Sequence, residues 1–140
     1  MTIKKNIYQE IMTHCSNKQT ETGGIIGGEN GVISEFIFDL GLDEKESGCY
    51  YPNTEVMNRY LSEWQQRGIT FYGIVHSHLQ EKEDLSSGDK EYISSIIQAM
   101  PHDTNRLYFP LILPLYKMIS FTAEKIDGIV KIVSDKINLV

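Results

Sequence analysis

Apolar residues recur along this chain with two periods, and each change of period marks a new element. Ile7, Tyr8, Ile11, Met12 and Cys15 fall three and four positions apart, so Lys4 to Asn17 reads as an amphipathic helix with His14 near its end. In "GGIIGGENGVISEFIFDLG" the pattern shortens to two strand-like runs on either side of Glu29-Asn30-Gly31. Asn-Gly tolerates the positive φ angles of a tight turn, which predicts a β-hairpin. After the polar "LDEKESG", the stretch "YYPNTEVMNRYLSEWQQRG" returns to helical spacing. Asn53 or Thr54 is its N-cap, Val56, Met57, Tyr60, Leu61 and Trp64 its buried face, and Gly68 its terminator.

"ITFYGIVHSH" is a largely apolar strand, and "SSGDKEYISSIIQAM" a helix with Ile93, Ile96, Ile97 and Met100 on one face, closed by Pro101. Three more strands follow in "LYFPLILP", "MISFTAEKI" and "IVKIVSDKI", the last two joined by a second hairpin turn at Asp127-Gly128. This order departs from a regular βαβ repeat. It predicts an α+β fold, a mixed sheet flanked by helices. No repeat or low-complexity stretch interrupts residues 1–140, which read as a single domain.

Composition narrows the function. The chain's 140 residues, 41% of them hydrophobic, suffice for one buried core. A formal charge of -6 without any basic cluster argues against a nucleic-acid binder, because phosphate contacts need grouped Lys and Arg. "MTIKKNIYQEIM" has no apolar leader core, and no later run approaches membrane-spanning length, so the expectation is a cytoplasmic protein without a membrane partner. Cys15 and Cys49 are too few for a disulfide framework and read as reduced thiols.

The chemistry gathers in "GIVHSHLQEKEDLSSGDKEY", residues 73 to 92. Residues two apart on a strand point to the same face, so His76 and His78 project side by side, roughly 7 Å apart at the backbone. A lone strand histidine is usually a hydrogen-bonded core residue; a same-face pair can converge on one ion. Ser86-x-x-Asp89 is a capping-box pattern at the next helix start, and the same rigidly held acid is placed to supply a carboxylate ligand. Two His and one Asp would leave an open fourth position on a tetrahedral zinc, the arrangement of catalytic sites. Glu21, just before the first predicted strand, is the candidate base for a hydrolytic water. Gly23, Gly24, Gly27 and Gly28 beside it suggest a close backbone approach but form no phosphate loop.

Together, Glu21, His76-Ser77-His78, Ser86 and Asp89 resemble the E…H-x-H-x7-S-x2-D signature of the JAMM (MPN-plus) metalloprotease family, with the H-x-H-x7-S-x2-D spacing complete. The "ETGGIIGG" context is similar to that of small prokaryotic JAB-type members, and the order of elements resembles theirs across nearly the whole chain. The resemblance implies a cytidine-deaminase-like JAMM/MPN core with zinc held by His76, His78 and Asp89. It implies Glu21 as general base and then general acid, and Ser86 as hydrogen-bond donor to the carbonyl oxygen. It also implies cleavage of the peptide or isopeptide bond after the C-terminal Gly-Gly of a ubiquitin-like or sulfur-carrier protein.

Leu79 departs from the pattern, since the family often has proline directly after the second histidine. "GLDEKESGCYYPN" sits where ubiquitin-specific members carry an insertion and is short, which points away from linkage selectivity. The acidic "LQEKEDL" reads as a solvated rim without a metal role. Two rivals stand beside this reading: a non-catalytic MPN-like protein-binding scaffold, and a zinc peptidase of other specificity. A zinc deaminase would need H-x-E and P-C-x-x-C, and both are absent. Oligomeric state leaves no mark on the sequence.

Overall fold

The computed structural model describes residues 1–16, 18–42 and 50–140. Asn17, where the first predicted helix was to end, lies outside the described residues, as do Cys49 and the rest of 43–49 in the short segment after the first hairpin. The elements are β1 (Thr2–Ile3), α1 (Lys5–Cys15), β2 (Gly23–Glu29), β3 (Val32–Asp39), α2 (Thr54–Gln66), β4 (Thr70–Ser77), α3 (Ser87–Ala99), β5 (Arg106–Leu113), β6 (Lys117–Ile126), β7 (Ile129–Asp135) and β8 (Asn138–Leu139). The strands form one mixed eight-stranded sheet in the order β7-β6-β5-β4-β2-β3-β1-β8. Parallel pairs are β4–β5, β1–β3 and β1–β8.

Each long element falls where the apolar pattern puts it. Both hairpins close through two residues at left-handed φ, Asn30 and Gly31 at 53° and 77°, Asp127 and Gly128 at 51° and 76°. That turn carries the right-handed twist the flanking strands need. β1 and β8 are additions to the predicted order. They are two residues long and owe their form to pairing, β1 lying between β3 and β8.

Alternation along the strands separates two cores. On one face Ile26, Ile33, Val75 and Ile112 pack with Ile7, Ile11, Met12 and Cys15 of α1. On the other, Ile25, Ile74, Leu107 and Phe109 pack with Met57 and Trp64 of α2 and Ile93 and Ile97 of α3. The α2 face is narrower than its spacing predicts: Met57 and Trp64 are buried, Val56 and Leu61 half-buried, and Tyr60 is exposed. The close approach signalled by the β2 glycines is made within the chain. A Cβ on Gly23 would collide with the Val75 carbonyl and the Tyr50 ring, and one on Gly27 with the Trp64 ring.

Candidate metal centre

β4 turns alternate side chains toward α3, so Ile74 and His76 face that helix, and His78 follows one residue beyond the strand. Because β4 and β5 run parallel, the chain must cross over between them, and α3 makes that crossing. Its first turn, beginning at Ser87, brings Asp89 back against His78. Ser86 is the N-cap: its Oγ accepts the Asp89 N–H at 3.0 Å, while Asp89 Oδ2 accepts the Ser86 N–H at 2.9 Å. The capping box is therefore present, and the same carboxylate also reaches both histidines.

The three donor groups converge closely. His76 Nε2 and His78 Nε2 lie 3.2 Å apart, Asp89 Oδ2 is 3.1 Å from His78 Nε2, and Asp89 Oδ1 is 3.5 Å from His76 Nε2. Zinc bonds to such ligands are about 2.0–2.2 Å long, so tetrahedral geometry spaces ligand atoms about 3.3–3.6 Å apart. The observed separations of 3.1, 3.2 and 3.5 Å agree with those edges to within about 0.2 Å. Two imidazole nitrogens and a carboxylate turned on one another bring more lone pairs than protons, and a cation at their centre satisfies all three. Burial pushes the Asp89 carboxyl up, but hydrogen bonds to His76 and the Ser86 N–H outweigh it and hold the group well below the usual carboxylate range. It is therefore already an anion, as a ligand must be. Among the described residues, His76, His78 and Asp89 form a group able to hold a metal ion, so the donor set fits zinc.

Glu21 approaches from the neighbouring strand. In the β2–β4 pair Gly23 stands opposite His76, and the residues just before β2 are tied to the end of β4 by two further bonds. The Ser77 N–H donates to the Thr22 carbonyl at 2.8 Å, and the Thr22 N–H donates to Ser77 Oγ at 2.9 Å. Ser77, the residue between the two histidines, is buried on the opposite face and so fixes Glu21's neighbour to the ligand strand. Glu21 Oε2 accepts the Tyr50 N–H at 3.1 Å.

Glu21, His76, His78, Ser86 and Asp89 all line one cleft of about 610 Å³, walled by Tyr50, Tyr51 and Pro52 on the segment before α2, by Tyr92 of α3, and by Leu79, Gln80 and Lys82. The acidic stretch after His78 is exposed, with Glu83 paired to Lys117 and Leu85 alone buried. Leu79, in the position where proline was expected by resemblance, is 43% exposed and contributes an apolar rim. Sequence reasoning passed over Ser77, Asp39 and Tyr50. The Tyr50 hydroxyl donates to Asp39 Oδ2 at 2.8 Å, and burial, followed by the Asp39 charge, pushes its pKa up, so it remains a donor. Nothing local in the sequence marks such a bond between residues of different elements.

No family model matches the chain, and no curated protein matches it. Solved structures do. Protein DSY2949 from Desulfitobacterium hafniense superposes with a TM-score of 0.67 at 18% identity, over 99% of this chain and 92% of its own. AF2198, a JAB1/MPN domain protein from Archaeoglobus fulgidus, gives 0.58 at 17% identity, over 100% and 99%. A structure described as JAMM, a metalloprotease-like zinc site in the proteasome and signalosome, gives 0.54 at 15%, over 100% and 97%. The chain thus has the α+β JAB1/MPN fold, and on it a His-His-Asp group compatible with a metal ion.

Proposed function

We propose that this chain is a zinc-dependent hydrolase of the JAMM type that cuts the peptide or isopeptide bond after the C-terminal Gly-Gly of a ubiquitin-like or sulfur-carrier protein. The observation that carries the proposal is the convergence of His76, His78 and Asp89 at tetrahedral spacing in a cleft that Glu21 and Ser86 also line. His76, His78 and Asp89 hold the zinc, which when bound supplies Lewis acidity toward the scissile carbonyl and toward water. Glu21 accepts a proton from the attacking water as its oxygen bonds to the carbonyl carbon, and returns that proton to the leaving amine nitrogen when the C–N bond breaks. With Oε2 held by the Tyr50 N–H, the other carboxylate oxygen is left for this exchange. Ser86 Oγ uses a lone pair in capping α3, which leaves its hydroxyl proton to donate to the carbonyl oxygen as negative charge develops there.

The Gly-Gly preference is supported by resemblance and by sterics, since residues without side chains let an extended backbone bring its carbonyl up to a walled site. The test uses fusions of ubiquitin-like proteins to a reporter, with Gly-Gly or Ala-Val before the scissile bond, incubated with zinc-loaded protein and read by mass spectrometry. Cleavage confined to the Gly-Gly fusions supports the proposal. Equal cutting of both, or cutting of unrelated peptides only, replaces it with a zinc peptidase of other specificity. Zinc binding without cleavage of anything leaves a protein-binding scaffold.

A further inference from the structure

Glu21 belongs to no helix or strand, yet a proton-transferring group must be held within a fraction of an ångström of its working position. Ser77 secures Thr22 behind it; a second set of bonds secures the carboxylate itself. Glu21 Oε2 takes the Tyr50 N–H at 3.1 Å. Tyr50 is fixed in turn at two points, its hydroxyl on Asp39 Oδ2 at 2.8 Å and its ring over Gly23, where any Cβ would collide with it. Asp39, the last residue of β3, also accepts the Gly41 N–H through Oδ1 at 3.0 Å and the Asn53 N–H through Oδ2 at 2.9 Å. One carboxylate thus holds the chain where it leaves β3 and again where it enters α2, and the Leu42 N–H to Tyr51 carbonyl bond, 2.8 Å, closes the gap between them.

We propose that Asp39 is the positioning residue of this site, acting through Tyr50 to fix the Glu21 carboxylate beside the His76–His78 wall. Its catalytic consequence rests on the hydrolase reading; its structural consequence does not. The group must be a carboxylate, because its three partners among the described residues are all donors and an amide would turn its own N–H groups toward one or more of them. Asp39 touches none of the metal ligands and does not itself line the cleft; it reaches the site through Tyr50, whose hydroxyl it holds and whose backbone N–H holds Glu21.

Two measurements on the full chain test this. The first is amide hydrogen exchange: Asp39→Ala and Asp39→Asn should strip protection from the Tyr50 N–H while zinc stoichiometry and affinity stay at the wild-type level. The second is kinetic. Asp39→Ala should lower kcat by roughly 10- to 100-fold with KM unchanged, and should add nothing when built on Glu21→Gln, since a group already lost cannot be displaced. A merely structural role would cost activity on both backgrounds. Tyr50→Phe, which keeps the ring over Gly23 and removes only the bond to Asp39, should show the same split more weakly, and it carries the test if Asp39→Ala does not fold. A Tyr50 amide that stays protected, or a kcat loss repeated in full on Glu21→Gln, overturns the proposal. If the wild type cuts no substrate, the hydrolase reading falls, and the exchange measurement alone decides whether Asp39 holds Glu21.

Discussion

Glu21→Gln is the most direct probe of a single side chain, because the amide oxygen can still accept the Tyr50 N–H while the group can no longer shuttle a proton. We expect about one zinc per chain by metal analysis, with kcat reduced roughly 10²–10⁴-fold. The complementary variant, His76→Ala with His78→Ala, should lose the metal, and wild-type zinc affinity in that double variant would remove the assigned site. Ser86 caps α3, and the oxyanion role proposed for it would be of different size. Loss of a helix cap costs about 1 kcal/mol of stability, whereas loss of a donor to a developing oxyanion costs roughly 10²–10³-fold in kcat. Ser86→Ala should therefore show a small drop in unfolding midpoint and a large drop in turnover on the same preparation; a kinetic effect no larger than the stability change would leave the serine as a cap alone.

At the level of elements, each helix and long strand carries its own apolar stripe, which is why periodicity located α1 to α3 and β2 to β7 from local sequence. β1 and β8 have no such stripe and exist only against β3 and each other. The metal group was legible for a similar reason: His76 and His78 share one strand face, and Ser86-x-x-Asp89 starts the helix that follows, so spacing alone brings them together. Asp39 and Ser77 were not legible, because their partners come from other elements and a hydrogen bond across a sheet leaves no period. α1 offers a test of its own. Burial pushes the Cys15 thiol up from 9.0 to about 12, with a smaller downward pull from the Lys18 charge. The folded state thus keeps a proton that the unfolded chain releases, so this contribution is present below about pH 9 and is lost as the pH rises toward about 12. The stability advantage of the wild type over Cys15→Ala should narrow between about pH 8 and pH 10.5, followed by urea unfolding. A constant gap would mean that the thiol is not sealed against the sheet.

For the whole molecule, the sheet order matters as much as any residue. Placing β4 between β2 and β5 sets Glu21, the two histidines and the start of α3 at one end of the sheet, where a parallel pair opens toward a helix N-terminus. The order also makes the site short in sequence, for His78 and Asp89 stand at either end of residues 79–88, a strap that buries one side chain, Leu85, and is otherwise held midway by the Glu83–Lys117 ion pair and a contact of the His78 ring with the Lys82 carbonyl. An ion shared by those two ends would work as a clasp, shortening the free span of the strap and opposing its local opening. Lys82, exposed on the strap, is a natural target for trypsin. Cutting after Lys82 should be slow in zinc-loaded protein and faster after chelation, with the remaining lysines as internal controls; equal rates would show that the strap holds its shape without the ion. By this route, metal supply would set the chain's proteolytic lifetime as well as its chemistry.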